Sequence, residues 1–331
     1  MKVTKIKCPY FNHMKTFTVS DDYIVLYSGT RAVVLNKNLE LLCEIKDLKY
    51  VYNGSVSPDS KKLLFLSEGG YFYVVSLEDF LVNKINFKRK YTGTTAGIGC
   101  WSSDSRYVFI QSMDEYGCVS RLLRYDVTDN FSFEVMPVTD KQIRHISYVK
   151  SMEKYLIVYM NIFDHLWRFM WTDFNDSVSF PLQNFDDGAA SIKINEDDRT
   201  IEVIGFSHVY NYDFEGNPKS SINIPLDTYT FNFSDAFKNI PVDIDFIKQL
   251  SDFVGLEDLP MTERIDCLTV SKDKSLIFAG TMLKLLILDA KDLKVLKKIN
   301  YEFGVRSVCE LEDNILMVET FSGVKLLKLE R

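Results

Sequence analysis

Apolar residues along this chain come in short runs of two to seven, separated by brief polar breaks. YIVLYS (23–28), KLLFLS (62–67), RYVFIQS (106–112), YLIVYM (155–160) and LKLLILD (283–289) are rich in β-branched and aromatic residues. They are too short for helices, and too apolar at successive positions for a sheet with one wet face. The pattern predicts strands covered on both sides.

The polar breaks recur in a fixed order. The first is a small turn, seen as Ser20-Asp21-Asp22, Ser57-Pro58-Asp59, Ser102-Ser103-Asp104, Asn195-Glu196-Asp197 and Ser271-Lys272-Asp273, with weaker versions at 150–153 and 310–313. Such side chains bond the amides left over where a strand ends. The second is more regular: Asn36, Ser76, Asp126, Asp173, Asp213 and Asp289 each close an apolar run. Asp79, Asp129, Asp176, Gly216 and Asp292 follow three residues later, the spacing of a type I turn.

Two turn marks per unit specify four strands per unit. Anchored on Ser20, Ser57, Ser102, Val149, Asn195, Ser271 and Glu310, the spacings are 37, 45, 47, 46, 76 and 39 residues. Periods of this size mark repeat architectures. The expectation is an all-β, seven-bladed β-propeller of four-stranded antiparallel blades, with residues 1–331 as a single domain. Two β-sandwiches would share the strands but not the repeated double turn. The last unit lacks one strand, and KVTKIKC (2–8) precedes the first with no other partner, so the N-terminal strand is expected to close the last blade. Closure by both ends also implies a complete chain.

The chain resembles seven-bladed WD-repeat-like propellers over essentially its whole length, as a divergent, bacterial type. The Gly-His pair and the terminal Trp-Asp of that family are absent: Asp126 follows Tyr125, Asp213 follows Tyr212, and Trp171-Thr172-Asp173 alone echoes the tryptophan. Abundant Lys, Ile, Asn, Phe and Tyr fit an AT-rich genome. The resemblance implies a frame on which many functions can sit.

The 76-residue spacing carries some 35 extra residues, an insertion over 225–262 between blades five and six. Thr228 to Phe233 reads as strand, and Asp243 to Val254 as helix, with Ile247, Leu250 and Val254 on one face and Gly255 as the stop. Phe237 and Phe246 are candidate partner contacts there. Connections from each outer strand to the next inner strand, and from second to third strand, gather on one face of such a ring. The loops MDEYGC (113–118) and NIFDH (161–165) are the longest of the second kind and can reach a partner.

Candidate ligand residues on that face are Arg31, Arg89, Tyr91, Arg144, Phe163, His165, Phe206, His208, Arg264, Arg306 and Phe321. Arginines near the central opening favour phosphate or carboxylate groups. His13, His165 and His208 belong to loops that are not all adjacent, so no metal site is expected, and no cofactor.

Composition narrows the classes. The chain is 46% hydrophobic and its formal charge is −7, enough apolar content for a large core but the wrong sign for nucleic acid or an anionic membrane. No stretch suits a secretory signal or a membrane span, so the expected location is cytoplasmic. Cys8, Cys43, Cys100, Cys267 and Cys309 fall in or beside strands and Cys118 in a loop; with no C-x-x-C pair they read as structural thiols. No Gly-x-Ser-x-Gly, His-Glu-x-x-His, P-loop or Rossmann pattern is present. The expected function is a non-enzymatic scaffold that holds a protein or peptide on one face. The alternatives are a lactonase- or hydrolase-like propeller enzyme acting on a small anionic substrate in the central opening, and a small-molecule or glycan sensor.

Overall fold

The polar breaks fold as side-chain-locked turns. In three blades the same lock is built atom for atom. The hydroxyls of Ser57, Ser102 and Ser271 donate to the carboxylates of Asp59, Asp104 and Asp273 at 2.6, 2.5 and 2.6 Å. Each serine oxygen then accepts the amide five residues on, from Lys62, Tyr107 and Leu276 at 2.9, 2.8 and 2.8 Å. At the second break, Asn36, Asp126, Asp173, Asp213 and Asp289 each accept the amide two residues on, at 2.8 to 3.0 Å. These bonds satisfy amides that the end of a strand leaves over.

The computed structural model describes residues 1–11, 13–67, 71–86, 95–113, 120–139, 141–161, 166–182, 185, 191–231, 259–301, 304–312 and 314–330. After β1 (Lys2–Ile6), blade one is β2 (Thr16–Val19), β3 (Tyr23–Ser28), β4 (Arg31–Asn36) and β5 (Leu41–Ile45). Blade two is β6 (Val51–Val56), β7 (Lys62–Ser67), β8 (Tyr71–Ser76) and β9 (Val82–Asn86). Blade three is β10 (Thr95–Trp101), β11 (Tyr107–Met113), β12 (Ser120–Asp126) and β13 (Ser132–Thr139). Blade four is β14 (Lys141–Val149), β15 (Lys154–Asn161), β16 (Trp167–Thr172) and β17 (Ser177–Pro181). Blade five is β18 (Ser191–Asn195), β19 (Thr200–Ile204), β20 (His208–Asp213) and β21 (Pro218–Asn223). A two-stranded ribbon, β22 (Thr228–Phe231) with β23 (Leu259–Thr262), follows. Blade six is β24 (Ile265–Val270), β25 (Leu276–Thr281), β26 (Lys284–Asp289) and β27 (Val295–Asn300). Blade seven takes β28 (Val305–Glu310), β29 (Ile315–Thr320) and β30 (Gly323–Glu330) from the end of the chain. Its fourth strand is β1, antiparallel to β30 with Lys2 opposite Glu330 and Ile6 opposite Leu326. The chain is therefore a seven-bladed β-propeller closed by its N-terminal strand.

Each neighbouring pair of blades shares one apolar cluster. Phe65 and Tyr73 of blade two meet Val25 and Tyr27 of blade one, and Phe278 and Ile287 of blade six meet Val308 and Leu316 of blade seven. The joint between the last and first blades is built alike: Met317, Val324 and Leu326 pack against Ile24, Leu26 and Leu35. Polar latches accompany this packing at the turn ends. The Asp59 amide donates to Ser105 Oγ of the next blade at 3.0 Å, Ser151 to Glu196 at 2.6 Å, and Lys272 to Glu310 at 2.6 Å. Gly323 lets the closing joint come close: its φ of +114° is open to glycine, and a Cβ there would stand 2.6 Å from the Met14 carbonyl, which accepts the Val324 amide.

Removing Lys2–Ile6 is expected to lower the melting temperature and to promote association through the freed β30 edge. Thermal unfolding with light scattering checks this, and a monomer with an unchanged melting temperature would contradict the closure.

Candidate functional site

Two sets of connections form one face of the ring, and backbone bonds knit them together. The Val51 amide, opening blade two, donates to the Gly29 carbonyl in the second-to-third turn of blade one at 3.1 Å. Ile265, opening blade six, donates in the same way to Phe206 of blade five at 2.6 Å. The inner strands of blades two and six are thus held by the preceding blade's turn, which sets their first residues beside that turn's side chains.

Arg264 and Phe206 are paired across the joint of blades five and six, and Arg306 and Phe321 within blade seven. The Arg264 guanidinium lies 5.4 Å from the Phe206 ring centre, and Arg306 lies 3.8 Å from that of Phe321. Both lie within cation–π range, and the planar N–H groups of a guanidinium suit bonds to carboxylates. Arg264 Nε donates to Asp266 at 3.1 Å. Glu319, on β29, is buried and accepts the Thr16 hydroxyl at 2.7 Å.

Burial raises the pKa of both carboxyls above the usual range. Arg264 and then Arg306 pull Asp266 part of the way back; the Thr16 bond and then Arg306 do so for Glu319. One guanidinium therefore acts on acids of two blades. No family model matches the chain, and no curated protein is significantly similar to it.

The same face holds the exposed apolar side chains of the connections. Tyr50 is 67% exposed, Leu166 52%, Phe321 49% and Phe206 39%. Sequence reasoning did not single out Tyr50, Leu166, Asp266 or Glu319. Tyr50 has a signal only in three dimensions, a left-handed backbone at φ +51° that turns its ring outward from a tight connection.

The other described candidates make contacts of their own. Arg31 opens β4 and pairs with Glu44 of the outer strand at 3.8 Å, towards the rim. Arg144 is exposed at the bulge between Ile143 and His145 of β14. His208 Nδ1 is 2.7 Å from Ser207 Oγ, and its ring lies 5.7 Å from that of Tyr210. Arg89, Tyr91, Phe163, His165, Phe237 and Phe246 lie outside the described residues, as do Cys118 and the helix expected over 243–254. Among the described residues no three His, Cys, Asp or Glu side chains group as metal ligands, and no helix is long and apolar enough to cross a membrane.

The ribbon leading to the insertion is anchored by charge. Lys284 of β26 donates to Asp227 at 2.6 Å and lies 3.2 Å from Glu263; Lys298 of β27 reaches Asp227 at 2.8 Å. Asp227 and Glu263 flank the ribbon, joined by a backbone bond of 3.0 Å. Bonds to Lys284 and then Lys298 draw Asp227 down to about 2. Burial would lower the Lys284 ammonium, but Asp227 and Glu263 outweigh it and hold it above the ordinary lysine value. The Glu263 side chain is 0% exposed and that of Lys284 11%.

Folded Glu319 keeps its proton to higher pH than the unfolded chain does, so stability falls as pH rises from the ordinary glutamate range through the raised value. Glu319→Gln is therefore expected to be more favourable relative to wild type at pH 7.5 than at pH 4, measured by urea unfolding at both. Lys284→Met leaves the Glu263 carboxylate uncompensated and is expected to cost about 3–5 kcal/mol in the same assay.

Proposed function

We propose that this propeller is a non-enzymatic interaction module that holds a peptide or protein segment on the face bearing Arg264, Arg306, Phe206 and Phe321. The observation that carries the reading is the composition of that face: it exposes Tyr50, Leu166, Phe206 and Phe321, with arginines over the rings of two of them. Tyr, Phe and Arg are the residues in which interface cores are enriched, and exposed rings beside guanidiniums supply apolar contact and forked hydrogen bonds together. The partner this suits carries apolar side chains interspersed with carboxylates. Net negative charge supports a protein partner over nucleic acid or an anionic membrane. The repeated double turn supports a place among divergent WD-repeat-like propellers.

A second reading draws on Asp266 and Glu319. Two carboxyls held above their usual range beside two arginines suit acid–base work on a small anionic substrate, as in a lactonase- or hydrolase-like propeller. In that case lactones or sugar acids, rather than peptides, bind at the channel mouth and are turned over.

Random-peptide display on the intact protein separates the two. Selected peptides are expected to bind wild type and to weaken at least about tenfold on Phe321→Ala or Arg306→Ala, with Leu81→Ala, in a turn on the opposite face, leaving affinity unchanged. Equal affinity for all three variants would overturn the proposal.

A further inference from the structure

The joint between blades five and six changes character along its length. Nearest the Arg–Phe face it is apolar, with Ile204 and Val209 against Ile265 and Leu286. Towards the opposite face blade five instead presents a polar stripe. Lys193, Glu202, Asn211 and Ser220 are register partners in turn across β18, β19, β20 and β21. Glu202 and Asn211 share the faces of Ile204 and Val209, two residues along the same strands, so the stripe looks towards blade six. A cavity of about 570 Å³ opens there, walled by Lys193, Glu202 and Asn211 on one side and by Thr269 and Val270 of blade six on the other.

The charged groups in this cavity are poorly satisfied by the protein. Lys193 Nζ donates to the neutral Thr269 hydroxyl at 3.4 Å, its one hydrogen bond among the described residues. That hydroxyl is itself committed to the Val308 carbonyl at 2.9 Å. Burial holds the Lys193 ammonium below the ordinary lysine value, and Glu202 only partly offsets this. Glu202 Oε1 is buried with no hydrogen-bond partner. Leaving such groups unmatched is costly, and the cost is recovered when a ligand supplies the missing partners.

Cross-strand neighbours stand about 5 Å apart at Cβ, so a cation and an anion face the same small space. A simple anion would satisfy Lys193 and be repelled by Glu202; a simple cation would meet the reverse. A molecule with a carboxylate and an ammonium on one carbon satisfies both. We propose that the cavity between blades five and six is a binding site for a free α-amino acid, its carboxylate on Lys193 and its ammonium on the Glu202 carboxylate. The side chain then lies along exposed Val270, towards Asp197 at the cavity's edge, which favours basic over acidic amino acids. This site is independent of the peptide-binding face.

Isothermal calorimetry on the full chain tests it with L-arginine, agmatine, which lacks the carboxylate, 5-guanidinovalerate, which lacks the α-ammonium, and L-glutamate. Arginine is expected to bind, with each truncated analogue and glutamate weaker by about tenfold or more. Lys193→Met and Glu202→Gln are expected to weaken arginine by a similar factor while melting cooperatively. Absence of arginine binding at about 10 mM, analogues that bind as well as arginine, or affinity unchanged in both variants would overturn the proposal. The analogue series uses wild-type protein, so the answer does not depend on either variant folding.

Discussion

Each blade of this protein has two apolar faces, and a face is covered only by the next blade. A four-stranded sheet with Phe65 and Tyr73 on one side and Leu64 and Phe72 on the other has no stable life of its own in water. Its neighbours face the same demand, so the arrangement has to close. Pairing of β1 with β30 meets that requirement at one edge, and the Met317–Leu26 cluster meets it through the joint. With the sheets so constrained, the connections at either end are released from the work of building the core.

That release is where chemistry enters. The inner strands of blades two and six are hung from the preceding blade's turn by backbone bonds, and in blade six this fixes Arg264 beside Phe206 without any direct demand on either side chain. The ribbon that leads to the insertion is held by Asp227 and Glu263 on two lysines of blade six. Charge thus does at the ribbon what apolar packing does between blades. At the blade five to six joint the core rule is relaxed, and there the polar stripe of Lys193 and Glu202 opens a cavity.

The frame was legible in the sequence because its signals are local. A serine or aspartate that accepts an amide two to five residues away announces a turn within one short window, and two such windows per unit count the strands. Closure was legible as an accounting of strands, one short at the end and one spare at the start. Sites were less so, because their contacts span blades: Arg264 and Phe206 are 58 positions apart by residue number, and Thr16 and Glu319 303. β23, with Pro260 in LPMT, carries no strand signal and is specified by pairing with β22. Glu202 in TIEVI was readable as a charge among apolar neighbours, yet only the fold shows that it faces a cavity.

Native-state hydrogen exchange resolved to single amides tests ring closure most directly. Amides of β1 and β30 that bond each other should exchange only through global unfolding, with the same free energy as those in the middle strands of blades two and six. Exchange from β1 near the rate of an unstructured peptide, while the middle strands stay protected, would contradict the closed ring.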